Sequence, residues 1–143
     1  QKAEFQLMTF MLRHLGKVPG RLVSRAVKAF AGVTTEQHKP AVVQFIRQTV
    51  AAANAQSVCW AIDSVVPRRV DHHALLSAIS KPVLVMTGEE DRTFPVAETQ
   101  RMAEAIPGSQ FVVLPQVGHL AALEAPEAVN QAIDAFLRQQ QLP

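Results

Sequence analysis

The apolar positions divide the chain into two unlike halves. From residue 4 to residue 65 they recur every three or four places, the period of an amphipathic helix. Phe5, Met8, Leu12 and Leu15 share one face, and Gly16 marks a stop. Leu22, Val23, Ala26, Val27 and Phe30 form a second stripe over residues 21–31, closed by Gly32. Thr34 and Thr35 carry the short hydroxyl side chains that cap a following helix. Pro40 suits the first position of a longer helix that aligns Val43, Ile46, Val50 and Ala53. The stretch AQSVCWAIDSVV reads equally as helix or as a buried extended segment, and Pro67 ends it.

Beyond residue 70 the pattern changes. Asp71 is placed to cap a short helix with Leu75, Leu76 and Ile79 turned inward. KPVLVMTG is a continuous apolar run, as expected of a strand covered on both faces, with Pro82 tolerable at its start. A polar loop from Glu89 to Thr93 leads to Pro95, which opens a helix with Val96, Met102, Ala103 and Ile106 inward. Pro107-Gly108 stops that helix, and QFVVL at 110–114 is a second strand. Gly118-His119 lies in a loop, and Pro126 opens a last helix with Val129, Ala132, Ile133, Phe136 and Leu137 on one stripe. Strand, helix, strand, helix implies a parallel pair with a right-handed crossover. Parallel strands need cover on both faces and rarely stand as a pair alone, so the pattern is one end of a larger α/β sheet. Residues 1–70 are then a helical region, residues 71–143 part of the core, and the chain is expected to be a piece of a bigger protein.

Composition narrows the class. Of 143 residues 48% are hydrophobic and 18% charged, which excludes a disordered segment. No apolar run is long enough to span a membrane as a helix. The single cysteine, Cys59, excludes an internal disulfide and a multi-cysteine zinc site, reads as a small buried hydrophobe, and favours a reducing, cytoplasmic compartment. The net charge of +2 hides an asymmetry: residues 1–70 carry ten basic groups against three acidic, residues 71–143 four against nine. The net charge gives no ground for nucleic-acid binding, and most of these charges read as solvated helix faces. The asymmetry keeps one alternative open, a non-catalytic interaction module whose basic helical face meets an acidic partner or nucleic acid.

The candidate chemistry follows from topology. In an α/β sheet ligands bind beyond the carboxyl ends of the strands. Asp91 lies just past the first strand and His119 just past the second. Neighbouring strands are about 4.8 Å apart, so the two side chains can meet. A carboxylate on one imidazole nitrogen fixes the tautomer and leaves the other nitrogen free to take a proton from a nucleophile. The plainer alternative is a turn-forming Asp and a surface His. Phe94, beside the acid loop, and Trp60 are candidate linings of a substrate pocket, Trp60 reading first as core packing. Asp71-His72-His73 suggests metal ligands, but adjacent histidines point about 100° apart on a helix and no further ligand cluster is near, so no metal site is expected. Glu89 and Glu90 read as solvated loop charges, His14 and His38 as surface residues.

At these residues the chain resembles the α/β-hydrolases, over their C-terminal portion. Gly88, Asp91 and Pro95 match the pattern G-x-x-D-x-x-x-P after a strand, and Gly118, His119, Glu124 and Pro126 match G-H-x-x-x-x-E-x-P before the last helix. Residues 1–70 are similar in character to the helical cap or lid that many members carry. The resemblance implies that Asp91 is the acid and His119 the base of a catalytic triad acting on a carboxylic ester, lactone or related carbonyl compound, in the branches of esterases, enol-lactonases and carbon–carbon bond hydrolases. It implies no cofactor and no metal. The family's nucleophile motif, G-x-S-x-G, does not occur here, nor does an HGGG-like oxyanion segment. The nucleophile, whether Ser, Asp or Cys, is therefore expected in a missing N-terminal half, and the isolated chain is expected to be inactive. An unpaired sheet edge would also favour a homo-oligomer or a domain swap.

Overall fold

The computed structural model describes residues 9–10, 12–14, 16–65 and 71–140. The expectations for Phe5, Met8, Leu15 and Pro67 lie outside the described residues. In chain order the elements are α1 (Gly20–Phe30), α2 (Val33–His38), α3 (Pro40–Ala52), α4 (Ala55–Val65), a 3-10 helix (His73–Ala78), β1 (Leu84–Gly88), α5 (Val96–Glu104), β2 (Gln110–Leu114), α6 (Ala121–Glu124) and α7 (Pro126–Gln139). They gather into two compact units: Gln1–Val27 with Gln44–Asp71, and Lys28–Val43 with His72–Pro143.

The first unit is helical. Leu12, Val23, Val27, Ile46, Ala55 and Cys59 are its buried apolar residues; helical periodicity put the first four inward, and Cys59 is buried as its residue type suggested. The ambiguous AQSVCWAIDSV stretch is helix α4. Cys59 is fully enclosed, with its thiol donating to the Thr9 carbonyl at 3.5 Å. Arg13 meets Asp63 at 2.6 Å, tying residues 12–14 to α4.

The second unit holds the sheet. β1 and β2 run parallel, with Leu84 opposite Gln110 and Gly88 opposite Leu114. Alternate side chains face opposite layers. Val85 and Phe111 pack on one side with Ala103 and Ile106 around α5, and with Leu76 and Ile79. Met86, Val112 and Leu114 pack on the other side with Val117 and Val129 of α7. The continuous apolar run of β1 thus reflects helices on both faces.

Several local expectations are corrected. Thr34 and Thr35 lie inside α2, whose N-cap is Gly32, because the first-turn amide of Thr34 is already met by Glu90. His72 rather than Asp71 holds the N-cap position before a 3-10 turn, and Leu75 points to solvent since that tight helix turns only Leu76 and Ile79 inward. Met102 and Ile133 are exposed, because each helix has a narrower covered stripe than its apolar residues would fill.

Candidate active site

The site grows from the carboxyl ends of the two strands. The parallel pairing continues past their ends: Glu89 N–H donates to the Leu114 carbonyl at 2.9 Å and Glu90 N–H to the Val117 carbonyl at 2.8 Å. The loop after β1 is therefore zipped to the loop after β2. Glycine makes this possible: a Cβ on Gly88 would collide with the carbonyl oxygens of Val117 and Gly118.

Within the first loop Asp91 folds back on its own chain. Its Oδ1 accepts the amides of Thr93 at 2.7 Å and Phe94 at 2.9 Å. Its Oδ2 lies 2.9 Å from His119 Nδ1. A carboxylate only accepts, so Nδ1 carries the hydrogen and Nε2 is left as the basic nitrogen. The Asp91 side chain is 7% exposed and that of His119 25%, so the pair is shielded while the imidazole keeps an outlet. The His119 ring meets two phenyl rings, stacked on Phe30 at 5.6 Å and tilted against Phe94 at 5.5 Å between centroids.

The C-terminal carbonyls of α1 have no intrahelical partners, and the two loops supply them. Arg92 donates to the Lys28 carbonyl, Thr93 Oγ1 to that of Ala29, and His119 N–H to that of Phe30. Arg92 also meets Glu36 of α2 at 3.3 Å.

Of the neighbouring glutamates Glu89 is exposed, as expected of a loop charge, while Glu90 is drawn into the structure. Glu89 accepts the Gln116 amide, which sits in a left-handed turn. Glu90 accepts both the amide and the hydroxyl of Thr34, at 2.8 and 2.6 Å. Burial pushes the Glu90 carboxyl up, but the Thr34 hydroxyl and amide, the Arg92 charge and the Val33 amide outweigh it and hold it below its ordinary value.

Glu124 is the residue that periodicity missed. It is 2% exposed, and its carboxylate accepts from the amides of Gly32, Gly118 and Leu120. The only sequence signal was its fixed place five residues after His119 and two before Pro126. Phe94 stands beside the imidazole, as its position next to the acid loop suggested. Trp60 lies on α4 in the first unit and is 64% exposed, so it is not core packing; the buried face of that turn is taken by Cys59. Among the described residues no group of three His, Cys, Asp or Glu side chains could hold a metal ion. No described helix is long and apolar enough to cross a membrane.

A parallel strand pair between helices, with a carboxylate and a histidine joined beyond the strand ends, defines the class as part of an α/β core. The model of the TAP-like protein family of α/β-hydrolases matches residues 43–143. An esterase from Thermogutta terrifontis, solved with malate bound, is 36% identical with a TM-score of 0.87, over 96% of this chain and 50% of its own. The 3-oxoadipate enol-lactonase 2 of Acinetobacter baylyi is 28% identical over 102 residues, 71% of this chain and 37% of the lactonase. The carboxylesterase YbfK of Bacillus subtilis is 38% identical over 63 residues, 43% of this chain and 21% of the esterase. The chain belongs to the α/β-hydrolases, in their TAP-like family. It spans half or less of the length of these three relatives.

Proposed function

We propose that this chain supplies the acid and the base of a Ser-His-Asp triad that hydrolyses a carboxylic ester, lactone or related carbonyl compound. The observation that carries the proposal is the 2.9 Å contact between His119 Nδ1 and Asp91 Oδ2, with the other Asp91 oxygen held by two amides. The similarity to an esterase and an enol-lactonase supports the substrate class.

In the proposed reaction a serine hydroxyl attacks the carbonyl carbon and gives its proton to His119 Nε2. The carbonyl electron pair moves onto oxygen, where backbone amides stabilise it. Asp91 stabilises the imidazolium, which returns its proton to the departing alkoxide; water then repeats the sequence on the acyl-enzyme. Phe30 and Phe94, both packed against the imidazole, restrict its rotation. The serine and the amide donors come from a segment outside these 143 residues, and this chemistry calls for no cofactor. Residues 1–70 correspond in character to the helical cap or lid of the family, and Phe94, beside the imidazole, meets the apolar part of the substrate. The enclosed Cys59 thiol supports a reducing, cytoplasmic setting.

The test is hydrolysis of a panel of p-nitrophenyl esters and small lactones by the complete protein. His119→Ala is expected to lower turnover by at least about 10⁴-fold, with the fold retained. Near-native turnover in that variant overturns the proposal.

A further inference from the structure

The mechanism above gives no step to Glu124, yet among the described residues it is the one charged residue buried as a whole. A carboxylate taken out of water is costly unless donors meet its oxygens. Here every donor is a backbone amide. Oε2 accepts from Gly32 at 2.9 Å and Gly118 at 3.0 Å, and Oε1 accepts from Leu120 at 3.0 Å. Gly118 and Leu120 are the residues on either side of His119, and the His119 amide itself donates to Phe30. One side chain thus accepts the N–H groups of both residues that flank the base, and holds them to the turn that follows α1. A Cβ at Gly118 would run into the backbone of Gly32, so the segment sits against that turn with no slack.

We infer that Glu124 is the positioning residue for the base: its carboxylate fixes the peptide 118–120 so that His119 Nδ1 meets Asp91. The inference rests on the acid–base assignment of Asp91 and His119. Charge and shape are both needed. Three amides donate to two oxygens, and an isosteric amide would replace one acceptor by an NH₂ group facing a donor. A shorter acid keeps both acceptors but draws them back by one methylene.

The test is proton NMR of the full chain, which needs neither substrate nor nucleophile. The wild type is expected to show the His119 Nδ1 proton far downfield of the amides, and Asp91→Asn to remove it. Glu124→Gln, with its methyl dispersion unchanged, is expected to lose that resonance or to exchange it with water at least about tenfold faster. Lys39→Met removes only the ammonium contact to the Glu124 main-chain carbonyl, and is expected to keep the resonance. A folded Glu124→Gln with the wild-type exchange rate overturns the inference, as does equal loss in Lys39→Met. Should Glu124→Gln fail to fold, Glu124→Asp is read in the same way, and wild-type exchange in it overturns the inference. A wild type with no resonance sensitive to Asp91→Asn defeats the acid–base pairing itself, a separate result from a pairing that survives Glu124→Gln.

Discussion

Two adjacent carboxylates, Glu90 and Asp91, face different partners, and that difference organises the site. Asp91 spends one oxygen on its own turn and the other on His119. Asp91→Asn keeps the size but favours the wrong imidazole tautomer, and is expected to lower kcat about 10⁴-fold with little change in KM; comparable loss in KM instead would assign Asp91 to substrate binding. Glu90 ties the loop to Thr34, and its carboxyl is held below the ordinary value of 4.5. A group with a depressed folded value binds fewer protons in the folded state, so its stabilisation is present above 4.5 and fades as the pH falls through the folded value. The thermal midpoint should therefore drop on acidification, and Glu90→Gln should flatten that drop; an unchanged slope would contradict the assignment. Asp91 and His119 were legible in the sequence because each follows a strand at a fixed spacing. Glu90 was not, because its partner lies 56 positions away and a loop glutamate reads as solvated; Glu124 showed only as a motif position, its burial depending in part on Gly32, 92 positions away.

At the level of elements, the strand ends and the close passage of three glycine-bearing segments set the geometry. Gly88 lets the chain at 117–118 pass, and Gly118 lies against Gly32. Gly118→Ala would force these backbones apart and is expected to cost about 2–3 kcal/mol, read from chemical denaturation; a change near zero would show that the contact is slack. Apolar periodicity placed β2 and the helices α1, α3, α5 and α7 to within two residues, began β1 three residues early, and left α4 open. It could not tell which apolar residues of a helix find a neighbour: Met102 and Ile133 keep the right period and are exposed. Nor could it see that α2 begins at Val33 with Gly32 as its N-cap, because the first-turn amide of Thr34 is met by Glu90 from another segment.

For the whole molecule, a two-stranded sheet leaves apolar surface in view. Val113 on β2 and Ile133 on α7 are both exposed, and among the described residues no third strand pairs with either edge. The chain by itself is expected to associate or to swap segments at high concentration; light scattering that reports only the 15.6 kDa monomer would contradict this. The family was legible from two short motifs. The substrate was not, because those motifs build the acid and base and leave the pocket to other residues.

The central claim is that Asp91 and His119 activate a serine outside these 143 residues. The most direct measurement is labelling of the complete protein by a fluorophosphonate, which reports an activated serine whatever the natural substrate. The account predicts a single adduct on a peptide that is not part of this chain, with labelling far slower in His119→Ala and in Asp91→Asn. Equal labelling in those variants, or none in the wild type, would contradict it.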